Sequence, residues 1–177
     1  MPALLTSEIP TDPSGWWVSE KYDGVRAIWD GEDFVSRHGK VLNVPDWFKE
    51  GMPRVRLDGE LWAGRGGFEK VKGQIQRKKN KDFSGIRYMV FETCDMRESF
   101  EERMAAVERL ELPAHAVRVK HTQSMGAEEL GRQERAVVFG GGEGLVIRRP
   151  GSKYRPGRAG DVVKVKRLVA DIDRWQG

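Results

Sequence analysis

The chain has 177 residues and a net charge of +4; 38% of its residues are hydrophobic and 33% are charged. These values fit one globular domain with a charged surface. Because no apolar run approaches the roughly 20 residues of a membrane-spanning helix, we expect no membrane partner. The single cysteine excludes an internal disulfide, and the first residues show no secretory signal, so the sequence predicts a cytoplasmic protein.

Strands are predicted where apolar residues alternate or cluster. Within the region 16–41, Val25, Ala27 and Trp29 recur at every second position, and Asp30-Gly31 then supplies a turn. Further strands are predicted over residues 54–62, 87–93, 144–149 and about 161–166.

Helices are predicted between these strands. Phe68, Val71 and Ile75 have helical spacing, and Ser99 with Glu102 forms a capping box before a second helix. The apolar stripe of this second helix comprises Phe100, Met104, Val107 and Leu110. A third helix is predicted over residues 126–139. Strands mixed with isolated helices, without regular βαβ spacing, predict an α+β domain with largely antiparallel sheets.

Common catalytic motifs are missing from the sequence. The glycine-rich run Gly140–Gly144 lacks the lysine of a P-loop, the histidines and the cysteine do not have zinc-binding spacing, and there is no Gly-x-Ser-x-Gly elbow. The candidate chemistry therefore lies in shorter polar motifs.

The first of these motifs begins with Lys21 and ends at Arg26, with the turn Asp23-Gly24 between them. A nucleophilic lysine must be neutral, and at its ordinary pKa only about one lysine in a thousand is neutral at physiological pH. Nearby cations or burial can lower that pKa, which makes Lys21 a candidate nucleophile. A surface lysine beside a hairpin would show the same residues.

The predicted strand over residues 54–62 carries the second motif. Val55, Leu57 and Leu61 share one face, and the carboxylates of Asp58 and Glu60 share the other. Such a carboxylate could hold a ribose hydroxyl or a metal ion, although a solvated strand face would look the same.

Two further motifs lie near the end of the chain. Glu143 precedes an apolar strand, where a hard oxygen ligand suits Mg²⁺. Lys164 and Lys166 share one strand face, and two ammonium groups at one point suit a triphosphate.

Together the motifs resemble one family. Lys-x-Asp-Gly-x-Arg, Ser-Arg-x-Gly (residues 36–39), Asp-Gly-Glu, an aromatic strand, Glu-Gly and Lys-x-Lys occur in the order typical of covalent nucleotidyltransferases. The chain is most similar to the adenylation domain of minimal bacterial or viral ATP-dependent DNA ligases. This resemblance implies the α+β covalent nucleotidyltransferase fold, which is ATP-grasp-like, with largely antiparallel sheets and flanking helices.

The resemblance also implies roles for individual residues. Lys21 would attack the α-phosphorus of ATP and carry AMP, while Glu20 would line the adenine pocket and Phe91 would stack on adenine. Glu60 would bind the ribose, and Glu143 together with Glu60 would hold Mg²⁺ or Mn²⁺. The residues implied to contact nucleotide or DNA phosphate are Arg26, Arg37, Arg158, Lys164 and Lys166.

The same resemblance implies the domain organisation and the partners. Residues 1–166 would form the adenylation domain, and residues 167–177 a linker stub where an OB-fold domain begins in family ligases, so we expect the OB-fold to be absent. The implied partners are ATP and nicked double-stranded DNA, in repair, replication or recombination, and we expect a monomer.

Two alternatives stay open from the sequence. An RNA ligase or a capping guanylyltransferase would use the same lysine with a different acceptor or base. A non-catalytic nucleic-acid-binding module is a second alternative, which the intact Lys21, Glu60, Glu143 and Lys164 argue against.

Overall fold

The computed structural model describes residues 9–155 and 160–166. The strands found in these residues are β1 (Trp17–Glu20), β2 (Val25–Trp29), β3 (Phe34–Val35), β4 (Leu57–Trp62), β5 (Arg87–Thr93), β6 (Ala116–Arg118), β7 (Thr122–Gln123), β8 (Leu145–Arg148) and β9 (Val162–Val165). The helices are α1 (Asp46–Lys49), α2 (Phe68–Gln76), α3 (Phe100–Glu108) and α4 (Ala127–Phe139).

The strands form two sheets. The first has the order β7-β1-β8-β9 and the second the order β3-β2-β4-β5-β6. All pairings are antiparallel except that of β5 with β6, which α3 connects as a crossover. The first sheet joins strands from both ends of the described chain, so its polar motifs come together only in the folded protein.

Each sheet buries one face in a separate apolar core. In the first sheet, Val18, Ile147 and Val163 pack with Leu130 of α4. In the second, Leu57, Leu61 and Tyr88 pack with α2 and α3, and the Tyr88 hydroxyl donates to the carbonyl oxygens of Ala27 at 2.9 Å and Leu57 at 3.2 Å. Because successive side chains in a strand point to opposite faces, the remaining face of each sheet is the polar one.

The two polar faces lie opposite each other and form a groove. Arg148 of β8 reaches across it, with its guanidinium carbon 5.3 Å from the ring centre of Phe91 in β5. At the base of the groove the buried Arg103 of α3 is 3.4 Å from the buried carboxylate of Glu92. The groove therefore separates two apolar cores and is lined by charged groups.

Most elements agree with the sequence predictions. β5 has the predicted bounds, and the Ser99–Glu102 capping box is present at α3. Two predictions on residue burial are wrong: α3 buries Arg103, which pairs with Glu92, rather than Met104, and Val55 is exposed because β4 begins only at Leu57.

His121 lies between β6 and β7 with its ring 5.1 Å from Phe100. Its Nε2 atom is buried without a hydrogen-bond partner among the described residues. Burial, and secondarily the positive charge of Arg148, lower the pKa of His121 to about 3, while a backbone hydrogen bond at Val119 opposes the shift. The folded protein therefore holds His121 neutral.

The burial of neutral His121 predicts that the protein loses stability as the pH is lowered. The unfolded chain takes up a proton near the ordinary pKa of histidine and the folded chain only near pH 3, so stability falls as the pH is lowered between these values. The slope is at most about 1.4 kcal/mol per pH unit. We expect His121→Asn to lose less stability than the unmodified protein between pH 6.5 and 4, as measured by urea denaturation. Parallel stability curves would contradict the burial of a neutral imidazole.

Candidate active site

Lys21 follows directly after β1, at the mouth of the groove. Its backbone N–H donates to the carbonyl oxygen of Gly144 at 2.9 Å, which continues the β1–β8 pairing by one residue. Pairing of β8 with β9 sets Val146 against Lys164 and exposes Lys164 on the polar face. The register of three strands thus places Lys21 beside the two predicted phosphate-binding lysines.

Glu143 joins two of these lysines. Its Oε2 atom is 2.6 Å from the Nζ of Lys21, and its Oε1 atom accepts from the Nζ of Lys166. The side chain of Lys21 is 17% exposed. Burial lowers the pKa of Lys21, the ion pair with Glu143 opposes this, and the charges of Lys166 and Lys164 lower it further.

Glu60 lies on β4 across the groove. Its Oε1 accepts from the backbone N–H of Gly24 at 3.2 Å, and burial raises its pKa to about 7 although that bond and Lys21 oppose the shift. A Cβ at Gly24 would lie 2.0 Å from the carbonyl oxygen of Leu61, so only glycine fits this approach to β4. The predicted ribose-binding carboxylate is thereby tied to the motif of Lys21.

Asp58 holds the side chain of Arg26 in place, a contact that the sequence did not predict. Asp58, which is 1% exposed, accepts from Nε of Arg26 at 3.0 Å and from Nη2 at 2.5 Å, and it also accepts from the Tyr154 hydroxyl at 3.0 Å. In the sequence, the pairing of Asp58 with Arg26 was indicated only by the two carboxylates of Asp-Gly-Glu, which lie two positions apart. Asp58 orients Arg26, while Glu60 faces the nucleophile.

Arg37 lies at the tip of a turn after β3. Ser36 forms this turn: its hydroxyl accepts from the N–H of His38 and of Lys40, and its carbonyl accepts from Gly39 at 2.8 Å. Gly39 has φ +81, which favours glycine. The turn presents the Arg37 side chain to solvent.

Phe91 is half-buried at an irregularity in the β4–β5 ladder, where the register shifts between Asp58 and Gly59. Besides its contact with Arg148, it lines a cavity of about 250 Å³ together with Met104 of α3 and His121. The ring therefore lies between the groove and α3.

Glu20 faces away from the groove. It pairs with Leu145, which in turn pairs with Val165, and both of these residues belong to the core under α4. Its carboxylate accepts from Nε of Arg65 at 2.9 Å. Ser19, which the sequence analysis did not single out, has the opposite orientation and lies on the groove face of β1.

One predicted site residue, Arg158, lies outside the described residues, as do residues 167–177. Within the described ranges, no three His, Cys, Asp or Glu side chains lie close enough together to hold a metal ion on their own. In the same residues no helix is long and apolar enough to cross a membrane. The groove thus combines a half-buried lysine, two separated carboxylates and several cations, which suits a reaction on a polyphosphate.

Comparisons with known proteins give the same assignment. A family model described as "ATP dependent DNA ligase domain" matches residues 6–166. A protein of Haemophilus influenzae named "DNA ligase" is 29% identical over 160 residues, which cover 86% of this chain and 58% of the relative. The chain therefore spans less than two thirds of the length of that relative.

Solved structures share the fold. A structure from a study titled "DNA binding with a minimal scaffold: Structure-function analysis of Lig E DNA ligases" has a TM-score of 0.82 and 30% identity, over 88% of this chain and 63% of that one. A Chlorella virus DNA ligase-adenylate has a TM-score of 0.72 and 21% identity, over 87% and 63%. The predicted fold class is confirmed, and the chain belongs to the ATP-dependent DNA ligase domain family.

Proposed function

We propose that this chain forms a covalent Lys21–AMP intermediate from ATP and transfers the AMP to the 5′-phosphate of nicked double-stranded DNA. The Nζ of Lys21 would form a bond to the α-phosphorus of ATP, while the bond to the β-phosphate oxygen breaks and pyrophosphate leaves. In the second step the 5′-phosphate oxygen displaces Lys21 from the phosphorus. The observation that carries this proposal is the half-buried Lys21 among Glu143, Lys164 and Lys166, in a chain of this family.

The positive charge at the groove supports this reaction. Phosphoryl transfer depends mainly on positioning and on stabilising charge at the phosphate oxygens. Lys166 shares the carboxylate of Glu143 with Lys21, and the charges of Lys166 and Lys164 both act on Lys21. One of the solved neighbours is described as a ligase-adenylate. Arg158 stays a prediction for the same phosphate site.

A divalent cation fits the donors that the groove offers. Magnesium binds in proteins through one or two carboxylates together with substrate phosphates, and it requires hard oxygen ligands. Glu143, which pairs with Lys21 and Lys166, and Glu60 across the groove would hold Mg²⁺ or Mn²⁺ in this way. When bound, the ion would offset negative charge on the triphosphate.

Duplex DNA would contact exposed cations around the groove. Arg37 at its turn is exposed, and Arg77, Lys78 and Lys79 follow α2 in an exposed loop. Lys81 has a different role, since its ammonium donates to the carbonyl oxygens of Gln74 and Ile75 and so caps α2. Lys81 is therefore not among the cations that we assign to the DNA surface.

The remaining features of the proposal are a monomeric state and a cytoplasmic location. The free Cys94, which is half-buried, fits a reducing compartment. An RNA ligase or a capping guanylyltransferase is not favoured, because the family match and the curated relative are DNA ligases.

The nucleophile is tested by removing its amine. We expect Lys21→Ala to gain no AMP when incubated with ATP and Mg²⁺, as read from the intact mass, because no other amine is expected at the α-phosphorus. Lys70→Ala, which removes an exposed lysine on α2, is the matched control and should gain AMP as the unmodified protein does. Adenylation of the Lys21→Ala protein at another lysine would rule out the assignment.

Phe91 stays a prediction as the platform for adenine. We expect Phe91→Ala to weaken ATP binding by about 1–3 kcal/mol, by analogy with base–aromatic stacking. Calorimetric titration measures this change, and Phe139→Ala, which removes a ring that is 81% exposed, is the control. Unchanged affinity for ATP in Phe91→Ala would show that the ring is not the platform for adenine.

A further inference from the structure

Arg65 makes a three-point contact beside the candidate site. It lies in the connection between β4 and α2, and its Nε and Nη2 atoms donate to the two carboxylate oxygens of Glu20 at 2.9 and 3.2 Å. Its Nη1 atom donates to the carbonyl oxygen of Gly140 at 3.1 Å. A single guanidinium therefore bonds to two separate segments of the chain.

These two segments carry the reacting groups. Glu20 is the residue before Lys21, and Gly140 begins the connection from α4 to β8 that contains Glu143. The Nζ atom of Lys21 is 2.6 Å from the Oε2 atom of Glu143. Arg65 thus joins the side chain of the residue before the nucleophile to the main chain of the connection that carries its carboxylate partner.

Neighbouring contacts fix the other side of Lys21. Asp23 accepts from the indole N–H of Trp62 at 3.1 Å and from the backbone N–H of Gly66 at 2.7 Å. The ring of Tyr22 packs edge-on against Trp62 at 5.0 Å. Residues on both sides of Lys21 therefore bond to the segment around Arg65, and these contacts add to the backbone hydrogen bond between Lys21 and Gly144 in fixing the main chain at the nucleophile.

The glycine run that had no assigned role accommodates this contact. A Cβ at Gly140 would lie 2.3 Å from Nη1 of Arg65, and a Cβ at Gly142 would lie 3.1 Å from the Glu20 carboxylate and 2.5 Å from the side chain of Val137. Glycines at these two positions therefore leave room for the guanidinium of Arg65 and the carboxylate of Glu20.

We propose that Arg65 is a positioning residue for adenylation, which holds Lys21 and Glu143 in register through Glu20 and Gly140. The inference rests on the proposed function of Lys21. Arg65 is 37% exposed, and an ordinary ion pair so placed has little effect. The two parallel hydrogen bonds to one carboxylate supply the geometric specificity that a simple ion pair lacks.

This role differs from a direct role of Glu20 in the base pocket. Because Glu20 lies on the α4 face of β1, loss of Arg65 would displace the main chain at Lys21 rather than remove a contact with the base. A misplaced nucleophile lowers the rate of reaction in the bound complex, whereas a lost base contact lowers affinity.

The test compares Arg65→Met with Arg132→Met, a matched change of an arginine that binds Glu128 and Glu129 on the surface of α4. At saturating ATP we expect Arg65→Met to slow single-turnover attachment of AMP by about 10- to 100-fold. Its affinity for adenosine 5′-(α,β-methylene)triphosphate, which cannot transfer AMP, should stay within about twofold. Arg65→Lys should restore part of the rate, since one of the bonds to Glu20 can reform.

Three further variants separate positioning from folding. Gly140→Ala removes no charged group but displaces the flexible end of Arg65, and should slow the reaction in the same direction, whereas Gly73→Ala, with open space around it, should not. Glu20→Gln should add little to the effect of Arg65→Met, because both remove one interaction.

The outcomes are distinct. An unmodified protein that gains no AMP would overturn the proposed function itself. An unmodified protein that reacts, together with an Arg65→Met protein of equal rate, would overturn the positioning role alone. Weakened analogue binding with an unchanged rate at saturation would also overturn it, and would assign Glu20 to the base pocket.

Discussion

The site depends on the antiparallel register of β1, β8 and β9. Lys21 and Gly144 are more than a hundred residues apart in the sequence, yet one backbone hydrogen bond of 2.9 Å between them fixes the nucleophile beside Glu143. The next pairing adds Lys164, while Val163 and Val165 on the other face are buried in the core. A slip of one residue would exchange these faces, so the apolar core under α4 maintains the register that brings the cations together.

The groove has an energetic cost that the two cores must offset. Glu92, Arg103 and Arg148 are all buried, and removing each ion from water costs several kcal/mol. Burial raises the pKa of Glu92, although Arg148 and Arg103 oppose the shift, and burial lowers the pKa of Arg148. Arg103 offsets part of its cost by donating to the carbonyl of Ser152 at 3.1 Å as well as to Glu92. Glu92 offsets part of the positive charge of the two arginines where the two polar sheet faces meet.

Local patterns predicted the elements better than they predicted side-chain roles. The capping box of α3 and the bounds of β5 depend on neighbouring residues, and both were predicted correctly. Arg103 is buried instead of Met104 because it pairs with Glu92 of β5. The spacing of residues within the helix does not reveal such a partner in another element. The roles of Asp58 and Arg65 also depend on distant partners. Arg65 stands in a polar loop with no pattern of its own, and its only indirect signal was a glycine run 75 residues further along the chain.

The motif that begins with Lys21 also forms the connection between the two sheets. Lys21 follows directly after strand β1 of the first sheet, and Arg26 lies in strand β2 of the second. Each polar contact made after Lys21 is with β4 or the loop that follows it: Asp23 binds the N–H groups of Trp62 and Gly66, the N–H of Gly24 binds Glu60, and Arg26 binds Asp58. Six consecutive residues therefore connect the sheets and set the side chains that face the groove from both sides. A motif this short can specify a site because it spans the connection between two sheets, and the apolar core of each sheet determines the position of that sheet.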